Sequence, residues 1–154
     1  MIDPEAMQLL GAAVQSVQDE GRSPADALIL VKLAERRIDG LGDAITPDAM
    51  MEVLGNAATV YERIGMLDVA AERLARLCQL AERQAPHTVQ TAGDYSRLAV
   101  LLEKHGDTED AILALERSVE HARAAGAYER YAAGYEAIFA RLRSSDAPGA
   151  TVGA

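Results

Sequence analysis

The side chains with the widest chemical repertoire in this chain are three histidines and one cysteine. Helical zinc motifs place His, Asp or Glu three or four residues apart, and His87, His105 and His121 lack a partner at that spacing within their helices. Glu109 follows His105 by four residues, but across a helix break. We therefore expect loop or surface histidines at helix ends and no metal site. Cys78 lies among leucines without a nearby histidine, which favours a buried thiol over a reactive one.

The sequence supports phosphate binding and acid–base catalysis no better than it supports a metal site or a reactive thiol. The segment Gly40-Leu41-Gly42 lacks the third glycine or the Lys-Ser/Thr that phosphate loops use. Many carboxylates sit next to a basic residue, as in Glu62-Arg63 and Glu103-Lys104, which is typical of solvated helix surfaces. The sequence therefore predicts a protein that is not an enzyme, with no catalytic residue, no cofactor and no metal.

One cluster of aromatic residues suggests a binding surface or a structural cap. Tyr128, Tyr131, Tyr135 and Phe139 are spaced by three, four and four residues, so they form one stripe on a helix. They are four of the six aromatic residues in the chain. The favoured interpretation is a terminal helix that shields the edge of the last helical hairpin. The alternative is a partner or dimer interface, where Tyr and Phe are common anchors.

The elements that must position these residues are predicted to be helices alone. The 154 residues are 49% hydrophobic and 25% charged, with five Tyr, one Phe and no Trp, while Ala makes up about a fifth. A core rich in Ala and Leu suits closely packed helices, so the predicted fold class is all-α. One cysteine cannot form an internal disulfide.

The charge balance narrows the partners and the compartment. The formal net charge is −9, the wrong sign for neutralising phosphates, so nucleic acid and anionic membranes are not expected as partners. The N-terminus lacks the basic and apolar regions of a signal peptide, and no apolar run approaches 18 residues. The sequence therefore predicts a cytoplasmic protein.

Capping residues and glycines set the predicted helix boundaries. Strong starts occur at Asp3-Pro4-Glu5, Ser23-Pro24 and Thr46-Pro47-Asp48, and weaker ones at Pro86-His87-Thr88 and at Asp107, where Asp110 completes a capping-box pattern. Stops are predicted at Gly21, Gly40 or Gly42, Gly65, Gly106 and Gly126. The seven predicted helices cover residues 4–20, 24–39, 47–64, 68–84, 88–105, 108–125 and 127–143. We expect one domain over 1–143 and a disordered tail over 144–154.

The chain also repeats internally. A shift of 44 residues aligns Leu10-Gly11-Ala12-Ala13 with Leu54-Gly55-Asn56-Ala57, and a shift of 41 aligns the second copy with a third. The aligned positions of the last two copies share a bulky residue, a small one, a large one, a turn glycine and a second small one. In order these are Leu54 and Tyr95, Ala58 and Ala99, Tyr61 and Leu102, Gly65 and Gly106, and Ala70 and Ala111.

This pattern resembles the tetratricopeptide repeat (TPR) family, in which small residues let helix backbones approach and bulky ones fill the gaps between hairpins. The period of 41–44 residues is similar to the longer-helix variant of kinesin light chains and bacterial regulatory proteins. The resemblance implies an α-solenoid of three antiparallel hairpins, 4–39, 47–84 and 88–125, plus a capping helix over 127–143.

The resemblance also implies a protein-binding adaptor whose partner occupies the concave face. The residues expected to line that groove are Gln15, Gln18, Glu52, Thr59, Glu62, Arg63, Ser96, Val100, Glu103 and Lys104. Their mildly acidic character suits a neutral to basic protein segment, and so short a repeat array makes self-association plausible. A small TPR-type secretion chaperone and a ligand-sensing regulatory domain stay open as alternatives.

Overall fold

The computed structural model describes residues 3–19 and 23–146, and within them every regular element is helical. The elements are α1 (Pro4–Gln18), α2 (Pro24–Leu41), α3 (Pro47–Arg63), α4 (Leu67–Gln84), α5 (Val89–His105), α6 (Thr108–Ala124) and α7 (Tyr128–Asp146), with a short 3₁₀ turn at Gly42–Ala44. The predicted all-α fold class is thereby confirmed. No helix in the described ranges is long and apolar enough to cross a bilayer.

The strong helix starts work as the sequence predicts. Asp3 Oδ1 accepts a hydrogen bond from the Glu5 N–H at 3.0 Å at the start of α1. Thr46 Oγ1 accepts one from the Ala49 N–H at 3.2 Å at the start of α3. Each bond satisfies one of the amide groups that a helix N-terminus leaves without an intrahelical partner.

Glycines end several helices by adopting a left-handed backbone. At Gly106 φ is +97°, and this lets the Asp107 N–H reach the Leu102 carbonyl at 2.9 Å and close the end of α5. A side chain at such a position would be strained, because L-residues rarely adopt that φ. The glycine stops therefore follow from backbone geometry.

Three boundary predictions differ from the structure. α2 continues through Gly40 to Leu41, and Gly42 ends it with a positive φ. Asp107 makes no capping bond with its side chain at the start of α6, because its carboxylate pairs with His105 Nδ1 at 2.8 Å. α7 extends to Asp146 and so includes residues 144–146, which were predicted to be disordered. The rest of the predicted tail, 147–154, and the predicted stop at Gly21 lie outside the described residues.

The chain divides into two compact units, which we call the N-terminal unit (within Met1–Leu80) and the C-terminal unit (within Ala81–Ala154). In the N-terminal unit α1 packs against α2, and both contact α3. In the C-terminal unit α6 packs against both α5 and α7. The single domain expected over 1–143 stays a prediction.

Alanine provides much of the close packing in both units. The alanines of the repeat pattern are essentially inaccessible to solvent, namely Ala57, Ala58, Ala70, Ala99 and Ala111. Larger apolar side chains fill the remaining core, including Leu10 and Val31 in the N-terminal unit and Leu115 and Leu142 in the C-terminal unit. Because an alanine methyl protrudes little, helix backbones can approach closely at these positions.

Candidate functional site

A cavity of about 460 Å³ lies in the C-terminal unit, and we call it the α5–α7 cavity. Its α5 wall consists of Val89, Ala92, Gly93 and Ser96. Its α7 wall consists of Arg130, Tyr131, Gly134, Tyr135 and Ile138, and Ala122 and Ala127 complete the lining. The volume lies within the range of about 300–1,000 Å³ that is typical of ligand pockets.

The cavity exists because small residues stand where two helices face each other. Residues 89, 92, 93 and 96 recur on one face of α5, and 130, 131, 134, 135 and 138 on one face of α7. A Cβ added to either Gly93 or Gly134 would meet no heavy atom within 4 Å. Both glycines therefore leave space that a larger side chain at the same position would occupy.

A network of hydroxyl groups closes the cavity on the side of α6. Ser118 is fully buried, and its Oγ donates to the Ala92 carbonyl at 2.6 Å. The same Oγ lies 2.8 Å from Ser96 Oγ and 2.9 Å from Tyr135 Oη. One buried serine thus connects the two lining hydroxyls to the α5 backbone.

Apolar surface and one cation are exposed at the rim. Val89 is 46% exposed and Tyr131 is 40% exposed, which makes them two of the most exposed large hydrophobic residues in the described ranges. The Arg130 guanidinium lies over the Tyr131 ring at 5.6 Å from its centroid. No Asp or Glu lines the cavity. The rim therefore offers apolar contact beside a positive charge.

The predicted aromatic stripe separates into buried and accessible parts. Tyr135 is buried and stacks on Tyr128, with ring centroids 5.9 Å apart and an interplanar angle of 3°. Arg143 lies over the half-buried Phe139 at 5.1 Å. Tyr131 alone in the stripe is exposed. The stripe thus contributes both to the packing of α7 and to the cavity rim.

The expected groove residues on α5 have different environments. Ser96 lines the α5–α7 cavity, and Val100 is half-buried. Glu103 accepts two hydrogen bonds from Arg141 of α7, at 2.6 and 3.0 Å. Lys104 is exposed. The structure therefore brings one predicted groove residue, Ser96, together with two residues of the aromatic stripe.

The other six expected groove residues lie in the N-terminal unit. Gln15 Nε2 donates to Asp19 at 2.9 Å, and Thr59 Oγ1 donates to the Gly55 carbonyl at 3.1 Å. Glu62 is half-buried. The exposed members of this set are Gln15, Gln18, Glu52 and Arg63. Their role in binding stays a prediction.

A second polar cluster of the C-terminal unit surrounds Glu82 and His121, and we call it the Glu82 cluster. Glu82 accepts hydrogen bonds from Tyr95 Oη at 2.9 Å and from His121 Nε2 at 3.0 Å, and it also pairs with Arg117. His121 Nδ1 accepts the His87 N–H at 3.1 Å. Although burial favours the protonated acid, the bonds from Tyr95 and His121 and the charge of Arg117 lower the pKa of Glu82 below its usual value.

This arrangement corrects the expectation for the histidines. His121 is only 3% exposed and stacks on the Tyr95 ring at 5.6 Å, although it was expected in a loop or at the surface. His87 and His105 are exposed, as predicted. Cys78 is buried, which confirms the favoured interpretation of that residue.

The N-terminal unit contains a comparable cluster, which we call the Glu35 cluster. Glu35 accepts from Tyr61 Oη at 2.9 Å and from Arg73 Nε and Nη2 at 2.7 and 3.0 Å. Burial, followed by the bond to the Glu35 carboxylate, raises the pKa of Tyr61 to about 12. The Glu35 carboxylate also raises the pKa of Arg73. These bonds connect α2 to α3 through Tyr61 and to α4 through Arg73.

The sequence contained an unused signal for these pairs. Glu35 and Arg73 are 38 residues apart, Glu82 and His121 are 39 apart, and Glu103 and Arg141 are 38 apart. Each pair joins a helix to the second helix after it. A search for pairs of acidic and basic residues near the repeat period would have found them.

No protein-family model matches the chain, and no curated protein matches it significantly in sequence.

Proposed function

We propose that this chain is a non-catalytic, TPR-like adaptor, and that the α5–α7 cavity receives an anchor side chain of a protein partner. The observation that carries the proposal is an apolar cavity of about 460 Å³ with exposed Val89 and Tyr131 at its rim. Protein interfaces concentrate their binding energy where an apolar or aromatic side chain fills such a pocket. Exposed aromatic surface beside it supplies the surrounding contact.

The solenoid arrangement and the family assignment belong to the same proposal. They are supported by the repeat in the sequence and by the order of the helices. In the described ranges, seven helices of 15–19 residues follow one another through short turns, which favours antiparallel neighbours. They are further supported by the three pairs of an acidic and a basic residue at separations of 38–39 residues, each between helices two apart in the chain. We place the adaptor in the cytoplasm as part of this proposal.

The test is affinity capture with a variant that fills the cavity. Gly134→Leu places an isobutyl group in open space on α7, and it replaces a poor helix former by a good one. We expect the variant to remain folded and to lose its captured partner by about tenfold or more, the loss expected of a blocked anchor pocket. The measurement is quantitative mass spectrometry of the proteins retained by each variant.

Gly11→Leu provides the matched control. Gly11 is exposed within α1, and a Cβ there also meets nothing within 4 Å. This variant makes the same chemical change outside the cavity and should retain the partner. Equal retention by Gly134→Leu and Gly11→Leu would contradict the proposed site.

A further inference from the structure

The hydroxyl network of the α5–α7 cavity has only one consistent arrangement of protons. The Ala92 carbonyl can only accept, so the single hydroxyl hydrogen of Ser118 is committed to that bond of 2.6 Å. The contacts of Ser118 Oγ with Ser96 at 2.8 Å and with Tyr135 at 2.9 Å then require the other two hydroxyls to donate. The hydroxyl groups of Ser96 and Tyr135 have thereby each donated their single hydrogen.

At Ser96 and Tyr135 the cavity therefore presents acceptors and no hydroxyl donor. The remaining lone pairs belong to Ser96 Oγ and Tyr135 Oη, and both residues line the cavity. A bound group that offers an O–H or N–H at this depth gains a hydrogen bond. A bound carbonyl, ether or carboxylate oxygen would face like partial charge and would lose its water without replacement.

The other lining residues restrict the body of the bound group. They are apolar apart from Arg130 and the hydroxyl of the exposed Tyr131, and no carboxylate is present to receive a cation. A lysine or arginine anchor would lose its hydration and meet the charge of Arg130. Serine and threonine carry a donor but are too short to fill the cavity. An aromatic ring that ends in a donor can pack against the apolar lining and donate to the acceptors of Ser96 and Tyr135.

We infer that the anchor of the protein partner is a tyrosine or tryptophan side chain, whose hydroxyl or indole N–H is bound by Tyr135 Oη and Ser96 Oγ. This inference rests on the proposed function, because it assigns the chemistry of the partner at the same cavity. Tyrosine and tryptophan are also the side chains that most often dominate protein interfaces.

Three probes that differ only at the ring para position test the assignment. N-acetyl-tyrosinamide carries a donor, N-acetyl-phenylalaninamide carries none, and N-acetyl-O-methyltyrosinamide carries only an acceptor. Titrations of the full ¹⁵N-labelled chain are followed by NMR at the amides of Gly93 and Gly134. The tyrosine probe should bind about three- to tenfold more tightly than the phenylalanine probe, the gain expected of one hydrogen bond. The O-methyl probe should bind more weakly than the tyrosine probe by at least that factor.

Ser118→Ala weakens the selectivity if the proton arrangement is correct. Without the Ser118 acceptor, the hydroxyl hydrogens of Ser96 and Tyr135 become available to a ligand oxygen. The affinity ratio of the tyrosine probe to the O-methyl probe should then fall by about threefold or more. Tyr135→Phe removes one acceptor while it keeps the ring, and it should reduce the preference for tyrosine over phenylalanine.

Several results would overturn the inference. They are equal affinities of the three probes, an absence of shifts at Gly93 and Gly134 with every probe, or probe ratios that neither variant changes. The proposed function fails separately, when Gly134→Leu retains every partner that the wild-type chain captures. A partner that is lost by Gly134→Leu, combined with probes that show no donor preference, would preserve the adaptor and reject the aromatic donor.

Discussion

The Glu35 cluster and the Glu82 cluster each bind a partly buried glutamate, but with different basic side chains. In each, a tyrosine hydroxyl and a basic side chain donate to a glutamate that is largely shielded from water. In the Glu35 cluster the inner cation is Arg73, whose charge does not depend on pH over the accessible range. In the Glu82 cluster the inner group is His121, and the arginine, Arg117, is about half exposed.

The two basic side chains bind their glutamates differently. His121 accepts the His87 N–H at Nδ1, and its Nε2 lies 3.0 Å from Glu82 Oε1. Arg73, in contrast, binds Glu35 through two nitrogens and lies over the Tyr61 ring at 5.4 Å. Glu35 is thus bound by two nitrogens of one arginine, whereas Glu82 is bound by single atoms of several side chains.

The largest expected difference between the clusters follows from removing each arginine. Arg73→Met leaves Glu35 without its paired cation, and both side chains are less than a fifth exposed, at 17% and 18%. We expect a loss of about 2–4 kcal/mol in the free energy of unfolding, somewhat less than for a fully buried pair. Arg117→Met is the matched change at a side chain that is 48% exposed, and Glu82 keeps Tyr95 and His121. It should cost about 1 kcal/mol or less. Urea denaturation measures both, and equal losses would remove the distinction.

The next largest effect is the ionisation of the Tyr61 phenol at high pH. The pKa of Tyr61 is raised from 10.0 to about 12, so the native state favours the protonated phenol. The stability that this provides is fully present below pH 10 and is lost as the pH rises through about 12. Absorbance at 295 nm should show a phenol that ionises near pH 12, and Tyr61→Phe should delete that step. The control is Tyr131→Phe, and a late step that survives in Tyr61→Phe would contradict the assignment.

A smaller effect is expected in acid in the C-terminal unit. The pKa of Glu82 is lowered in the native state, so its stabilising contribution is present above the unfolded value of about 4.3 and is lost as the pH falls through the native value. Glu82→Gln should cost about 1 kcal/mol at neutral pH and flatten this acid response. Hydrogen exchange resolved by peptide can follow α4, α5 and α6 between pH 3 and 7. An acid response unchanged by Glu82→Gln would assign it to other carboxylates.

The sequence predicted the helices well because their boundaries are set locally. The Pro-containing starts at Asp3, Ser23 and Thr46 and the glycine turns at Gly65 and Gly106 depend on a few neighbouring residues. The buried alanines were also found, because repeated small residues mark helix contacts. Local chemistry and periodicity therefore account for the elements.

The candidate site could not be predicted in the same way. Ser96 and Tyr135 were singled out separately, but their meeting at Ser118 depends on the rotation of α5, α6 and α7 about their axes. The burial of His121 depends on contacts from Glu82 and His87, residues 39 and 34 positions away. Such distances are fixed by packing between helices, which no short window of sequence contains.

The smallest expected difference is between two helix starts that look alike in the sequence, at Thr46 and Asp107. It tests whether neighbouring residues alone decide if a cap residue stabilises its helix. Thr46 Oγ1 binds the Ala49 N–H, so Thr46→Ala should cost about 0.5–1 kcal/mol in the N-terminal unit. Asp107 makes no capping bond at α6, because its carboxylate is held by His105 Nδ1 at 2.8 Å. Asp107→Ala should therefore cost only about 0.3 kcal/mol, the typical contribution of a negative charge near a helix N-terminus.

His105→Ala should free the Asp107 carboxylate to cap α6, and Asp107→Ala should cost more in that background. A double-mutant cycle by thermal unfolding measures this coupling, and its absence would mean that His105 does not compete for the cap.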